Sequence, residues 1–134
     1  MKDEAYILDL CDQVLHRVSS RNHRFPFLVG DTGVSLPVDA YYSDLKLVIE
    51  YRERQHFEAV PLFDSRETVS GVSRGKQRQI YDQRRRDVLP KHGIELIELN
   101  YFDFSCDERK RLRRQQIWDL EVLRNKLAHF LPGD

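Results

Sequence analysis

The chain of 134 residues has only two cysteines, Cys11 and Cys106, too few for a disulfide framework or a cysteine-based zinc site. We therefore expect both to be reduced thiols. It also has no apolar run near the ~20 residues that cross a membrane. Its first residues, MKDEAYILDL, carry charges of both signs and lack the apolar segment of a signal peptide. These absences predict a cytoplasmic protein without a membrane segment.

The chain has no net charge, because 22 Lys and Arg residues balance 22 Asp and Glu residues. This balance argues against a generic polyanion binder. The charges are unevenly distributed, however. Residues 74–86 carry six basic residues and one acidic residue, and residues 109–114 carry five basic residues and no acidic one. Such local concentration is typical of phosphate contacts, although each run alone is also typical of a solvated helix face.

No repeat, low-complexity tract or linker interrupts the sequence, and its length suits one domain over residues 1–134. Apolar periodicity and turn residues predict a mixed α/β fold of order α-β-β-β-α-β-α, with residues 106–134 as a C-terminal helical extension. Ser105 and Glu108 would form a capping box at the start of the last helix. The predicted elements are a helix at 3–19, two strands within 25–42, a strand at 45–52, a loop at 61–75, a helix at 76–90, a strand at 94–99 and a helix at 106–129.

One predicted hairpin carries an acidic residue on each strand, Asp39 on the first and Glu50 on the second. A two-residue turn at Ser43 and Asp44 would place Asp39 opposite Val48. Asp39 and Glu50 would then be diagonal neighbours on one sheet face, with roughly 7–8 Å between their backbones. The other face would collect the apolar residues Leu36, Val38, Ala40, Leu45, Leu47, Ile49 and Tyr51.

Two carboxylates this close repel each other unless a cation or a proton lies between them. Mg²⁺ suits such a pair, because it is a hard ion that proteins hold through one or two carboxylates. The alternative is a solvent-facing polar sheet surface, on which Asp39 pairs with Lys46 and Glu50 with Arg52. The pattern itself leaves both interpretations open.

Several segments together resemble the PD-(D/E)XK nuclease superfamily, and in particular its small branch of very-short-patch repair endonucleases. These segments are LPVDAYYSDLKLVIEY, IEYRERQH and YDQRRRDVLPKHGIELIEL, together with an N-terminal helix that carries an acidic residue, Glu4. The resemblance covers roughly residues 4–104. It implies a restriction-endonuclease-like three-layer fold, in which helices flank a central mixed sheet of about four strands, and a metal-dependent phosphodiesterase activity.

The resemblance also implies roles for individual residues. Asp39 would be the central ligand of Mg²⁺ or Mn²⁺, joined by Glu50, by the backbone carbonyl of Tyr51 and, as an additional ligand, by Glu4. His56 would act as the general base or position the attacking water, since histidine titrates near neutral pH. The bound ion would activate that water and neutralise charge on the phosphate.

The sequence departs from the family motif at Arg52, which stands where the family has a lysine. Arginine can hold a phosphate but cannot act as a base at ordinary pH. Lys46 or Lys76 could take the place of the lysine. Gln55 would contact a phosphate or a water, or serve as a structural amide.

The resulting hypothesis is a DNA endonuclease that cuts one strand per subunit, in a repair, restriction or mobile-element context. The last helix, which contains Trp118, could form a homodimer like that of a junction-resolving nuclease. Two alternatives remain: a nuclease-fold DNA-binding module that has lost catalysis, and an α/β domain that binds a protein through its last helix. The residues expected to contact DNA are Lys46, Arg74, Lys76, Arg78, Arg85, Arg86, Arg111 and Arg114.

Overall fold

A computed structural model describes residues 1–53 and 73–131 of the chain. Within these ranges the order of helices and strands is the predicted one, and no helix is long and apolar enough to cross a membrane. Two short 3₁₀ turns, Tyr101–Asp103 and Ala128–Phe130, follow the last strand and the last helix. The elements are α1 (Asp3–Leu15), β1 (Ser20–Val29), β2 (Ser35–Tyr42), β3 (Leu47–Arg52), α2 (Arg74–Lys91), β4 (Glu95–Asn100) and α3 (Gln116–Lys126).

The four strands form one mixed sheet in the order β1-β2-β3-β4. The first two pairs are antiparallel, whereas β3 and β4 are parallel, because α2 lies between them in the chain. Helices cover both faces. On one face α1 and α3 pack on Ile49 and Leu99, and on the other face α2 packs on Val48 through Leu89. The predicted mixed α/β fold, with a four-stranded sheet flanked by helices, is therefore confirmed.

The turn between β2 and β3 differs from the prediction, since it spans residues 43–46 instead of two residues. Lys46 closes it in the left-handed region, with φ 50°. Ala40 therefore pairs with Ile49 and Tyr42 with Leu47, a shift of two residues from the predicted register. The predicted pairing of Asp39 with Val48 is wrong. Continuing the observed register places Asp39 directly opposite Glu50.

The sheet face that carries Glu50 is not the solvent-facing surface of the alternative interpretation. Helix α2 covers it, and Glu50 and Arg52 are only 2% and 4% exposed. Leu36 and Val38 also pack under α2, although strict alternation placed them on the opposite face with Ala40. The alternation of faces along β2 fails because its regular pairing with β3 extends only from Tyr42 to Ala40. From Asp39 onwards, hydrogen bonds to side chains replace the backbone pairing.

Three element boundaries also move. Helix α1 ends at Leu15 and not at residue 19, because His16 adopts a left-handed conformation with φ 56°. Strand β1 begins at Ser20, five residues before the stretch in which the first strand was predicted. Helix α2 begins at Arg74, inside the predicted loop, because the side chain of Ser73 accepts a hydrogen bond from the backbone of Lys76 and caps it.

The predicted last helix is wrong in its first part, since α3 begins only at Gln116. Asp107 accepts hydrogen bonds from the backbone N–H groups of Arg109 and Arg111, and these bonds hold an irregular loop. Such local side-chain bonds compete with helix formation. The Ser105–Glu108 capping box therefore does not cap a helix. The C-terminal extension is a basic loop followed by a short helix.

Candidate metal and nucleic-acid site

A cleft of about 620 Å³ opens where β2 and β3 separate beside the start of α1. Acidic and basic side chains from five parts of the chain meet there. The cleft is lined by Met1, Lys2, Asp3, Glu4, Asp39, Glu50, Tyr51, Arg52, Glu53, Arg85 and Arg114.

Two hydrogen bonds between backbone and carboxylate join β2 to β3 at Asp39 and Glu50. The backbone N–H of Asp39 donates to Oε2 of Glu50 at 2.5 Å, and the backbone N–H of Tyr51 donates to Oδ2 of Asp39 at 2.8 Å. The last regular pair of these strands is Ala40 with Ile49. Beyond it, the backbone N–H groups of Asp39 and Tyr51 donate to carboxylates instead of to the backbone carbonyls of a regular ladder. This exchange brings the two acids side by side at the cleft.

Glu4, on the first turn of α1, brings a third carboxyl group to the same place. Burial, together with the charge of Asp39 and a side-chain hydrogen bond to it, raises the pKa of Glu4 to about 7. Burial and the charge of Asp39 raise the pKa of Glu50 to about 8, although Arg85 and Arg52 act in the opposite direction. The cleft therefore holds acids that give up their protons reluctantly, which is typical of functional sites.

The donor chemistry at this point matches a hard divalent ion, because carboxylate and carbonyl oxygens are the ligands that Mg²⁺ prefers. In the arrangement observed, however, no three His, Cys, Asp or Glu side chains among residues 1–53 and 73–131 form a group that could hold a metal. The carboxyl oxygens of Asp39 and Glu50 face backbone N–H groups and arginines instead.

Arg52 lies buried at the end of β3. Its Nη1 lies 3.3 Å from Oε1 of Glu50 and 3.0 Å from Oδ1 of Asp82 on α2, and its Nη2 lies 2.7 Å from Oε1 of Glu98 on β4. Within the described ranges its Nε has no hydrogen-bond partner. The guanidinium is thus engaged with three carboxylates, and it links β3 to its neighbours on two sides.

The three consecutive arginines of α2 point to three different partners. Arg84 pairs with Asp31 in the turn between β1 and β2. Arg85 lines the cleft, with its Nε 3.3 Å from Oε1 of Glu50 and its Nη2 donating to the carbonyl of Pro37 at 2.9 Å. Arg86 pairs with Glu98 at 2.9 Å. Arg85 is therefore the one of the three that reaches the acidic cluster.

The second basic run, residues 109–114, reaches the rim of the cleft as a loop. Arg114 lines the cleft, pairs with Asp3 at 2.9 Å and lies 5.2 Å from the centre of the Tyr6 ring. Arg109, Lys110 and Arg111 line an adjoining pocket of about 200 Å³ that shares Asp3, Tyr51 and Glu53 with the cleft. The basic loop and the acidic cluster are thus neighbours.

Other predicted site residues are not brought to the cleft. Lys46 lies in the turn between β2 and β3 and is absent from the cleft lining, as are Lys76 and Arg78 near the start of α2. Arg74 lines a separate pocket beside the turn between β1 and β2. Gln55 and His56 lie outside the described residues, so their roles stay predictions.

Sequence reasoning missed Asp82, Glu98 and Lys2. A signal for Asp82 existed, because it precedes Arg85 by three residues and shares a helix face with it. Glu98 could have been found by aligning the two parallel strands, since LVIEYR and ELIELN place Glu50 beside Glu98. Lys2 lines the cleft beside Glu4, but no local pattern in the first residues distinguishes it.

Comparison with known proteins gives one similarity. The chain is 38% identical over 71 residues to the uncharacterized protein 094L of Frog virus 3 (isolate Goorha). The aligned stretch covers 53% of this chain and 43% of the length of the viral protein. No protein-family model and no solved structure matches the chain.

The raised pKa values lead to an expected pH dependence of stability in EDTA. Glu4 and Glu50 keep their protons in the folded state up to pKa values of about 7 and about 8, whereas an ordinary glutamate has a pKa of 4.5. The folded state thus binds more protons than the unfolded state between these values. The stabilisation is complete below pH 4.5 and is lost as the pH rises through 7 and 8.

Differential scanning fluorimetry from pH 4.5 to pH 8.5 tests this expectation. The comparison is with Glu4→Gln and Glu50→Gln, each of which lacks one of the two titrating carboxyl groups. Both variants should lose less stability than wild type as the pH rises. Parallel curves for the three proteins would contradict the raised pKa values.

Proposed function

We propose that this protein is a metal-dependent DNA endonuclease with a restriction-endonuclease-like fold, and that it holds Mg²⁺ or Mn²⁺ at Asp39 and Glu50. One observation carries the proposal: the two acids lie side by side at a cleft, each accepting the backbone N–H group of a residue on the opposite strand. The chain order and the mixed sheet agree with the architecture that the resemblance implies.

The cost of the cluster supports a functional role for it. Burial raises the pKa of Glu4 and of Glu50, and the nearby charge of Asp39 raises both further. A bound cation would neutralise the carboxylates of Asp39 and Glu50, and Glu4, whose side chain is hydrogen-bonded to Asp39, would have to shift to become a third oxygen donor.

When bound, the ion would lower the pKa of a coordinated water and neutralise charge on the scissile phosphate. The residues that line the cleft would position the ion and the phosphate. Asp39 and Glu50 hold their carboxylates in a fixed relative position through the two backbone hydrogen bonds. Arg85 can exchange its contact with Glu50 for a phosphate oxygen, to which a guanidinium binds strongly. Arg52, which contacts Oε1 of Glu50, acts as a positioning residue for that carboxylate.

The distribution of basic residues supports DNA as the substrate. The acidic cluster lies between Arg85 on α2 and the basic loop of residues 109–114, so that a polyanion crossing the cleft would meet cations on both sides. The chain as a whole is neutral. The second basic run therefore places positive charge beside the acidic cleft, where a phosphate backbone would pass.

Plasmid nicking tests the proposal. Supercoiled plasmid incubated with the full chain and Mg²⁺ or Mn²⁺ should be converted to open circles, and EDTA should abolish the conversion. Absence of nicking with either ion, on plasmid and on short substrates containing mismatches or junctions, would refute the endonuclease activity. Retention of DNA without nicking would favour the binding module, an alternative that the engagement of Arg52 by three carboxylates also supports.

The basic loop should set the salt dependence of DNA binding. Each phosphate contact contributes about −0.9 to the slope of log K against log salt concentration. Replacing Arg111 and Arg114 with glutamine should therefore make the slope less negative by about 1.8. Fluorescence anisotropy at several salt concentrations measures the slope.

The matched control for this measurement is Lys91→Gln, which removes an exposed charge from the end of α2, outside the residues lining the cleft. Its slope should equal that of wild type. Since Lys91→Gln removes one charge and the loop variant removes two, a change half as large in Lys91→Gln would show that net charge, and not the loop, determines DNA binding.

A further inference from the structure

Two large apolar side chains are exposed in the first turn of α3. Ile117 is 87% exposed and Trp118 is 57% exposed. They border a shallow pocket of about 660 Å³ together with Gln115, Gln116 and Glu121. The helix has a core face of its own, because Leu123 and Leu127 are fully buried. The exposure of the tryptophan is therefore not explained by the packing of α3.

This pair is too small for a stable dimer interface. A specific protein interface buries about 800 Å² on each partner, whereas one aromatic side chain buries about 150–250 Å². The residues that flank the pair in the pocket are the polar Gln115, Gln116 and Glu121. A single planar ligand fits the dimensions of the patch better than a second copy of the chain does.

The position of the patch points to a nucleic acid. Tyr6 lies under the guanidinium of Arg114, and its hydroxyl donates to Oδ2 of Asp119 at 2.5 Å. Tyr6 thus fixes both ends of the short segment that contains Trp118 against α1, at the rim of the cleft. Trp118 follows Arg114 by four residues, and four residues of chain span at most about 14 Å. This length corresponds to about four base steps of 3.4 Å along one DNA strand.

We propose that Trp118 stacks on an unpaired base of DNA bound in the cleft, within about four base steps of the point where the DNA passes Arg114, and that Ile117 packs beside it. This inference rests on the proposed function, because it needs DNA in the cleft. Bases inside a duplex have both faces covered by their neighbours, so a tryptophan ring needs a base that is out of the stack. The substrate class is therefore DNA that contains unpaired bases.

Tryptophan fluorescence offers a direct test, because Trp118 is the only tryptophan of the chain. The full chain is titrated, with Ca²⁺ in place of Mg²⁺, with a perfectly paired duplex and with the same duplex carrying unpaired bases. The unpaired DNA should quench the emission more strongly. Trp118→Ala should bind the unpaired DNA about five- to a hundredfold more weakly, whereas Trp118→Phe should keep most of the preference.

Val18→Ala is the matched control, since Val18 is apolar and 91% exposed in another part of the molecule. Its binding should equal that of wild type. Equal affinity of wild type and Trp118→Ala for unpaired DNA would overturn the proposal, and so would a dimer in sedimentation that Trp118→Ala dissociates. Nicking without this preference would refute the stacking alone. Stacking without nicking would refute the nuclease alone, and no DNA binding by wild type would refute both.

Discussion

Asp39→Asn is expected to cut DNA at least about 10²- to 10³-fold more slowly than wild type, because it removes the charge that holds the ion. The same variant should unfold at a higher temperature than wild type in EDTA. Asparagine can still accept the hydrogen bond from the backbone of Tyr51, and the repulsion with Glu4 and Glu50 disappears. Lost activity with unchanged or raised stability is the signature of a functional acid.

The two readouts of this variant need separate measurements. Nicking rates with Mg²⁺ give the first, and differential scanning fluorimetry in EDTA gives the second. Asp44→Asn is the control, since Asp44 is an exposed acid in the turn at the other end of the hairpin, paired with Arg17. It should cut like wild type. An Asp39→Asn variant that cuts at the wild-type rate would remove Asp39 from the reaction.

Arg52→Met is expected to lower the free energy of unfolding by about 3 kcal/mol. The guanidinium pairs with Glu50, Asp82 and Glu98, and its removal leaves three carboxylates that share only Arg85 and Arg86 as cationic partners among the described residues. Breaking a buried ion pair costs roughly 3–5 kcal/mol, and the lower end applies because a quarter of the Glu98 side chain is exposed and can regain water. Urea denaturation followed by circular dichroism measures the change.

Arg124→Met provides the reference for this effect. Arg124 also pairs with a glutamate, Glu121, but both side chains are more than half exposed, so the pair contributes at most about 1 kcal/mol. If Arg52→Met is no less stable than Arg124→Met, the buried network does not hold the sheet to α2. Arg52→Lys should be intermediate, because one ammonium cannot reach three carboxylates as a planar guanidinium does.

The residues that sequence could place correctly are those with a local pattern. Helix α1 and the end of α2 at Gly93 could be predicted from residues that are close together in the sequence. Gly93 does lie in the left-handed region, with φ 72°. The closeness of Asp39 and Glu50 followed from the parity of the strands. This prediction survives the wrong turn length, because the observed register brings the two residues opposite each other, although the alternation of faces fails between Val38 and Ala40.

The parts that sequence could not place depend on contacts between distant segments. The burial of Arg52 requires Asp82 from α2 and Glu98 from β4, which lie 30 and 46 residues further along the chain. The loss of helix before Gln116 depends on one side chain, Asp107, that competes for backbone hydrogen bonds. The exposure of Trp118 depends on which face of a shortened helix meets α1.

The most direct test of the metal site is a crystal of the full chain soaked in Mn²⁺ and measured at a wavelength where manganese scatters anomalously. The expected result is one peak in the cleft, bonded to carboxylate oxygens of Asp39 and Glu50, that disappears in Asp39→Asn crystals. A cleft without a peak, or a peak that persists in Asp39→Asn, would contradict the proposed nuclease site.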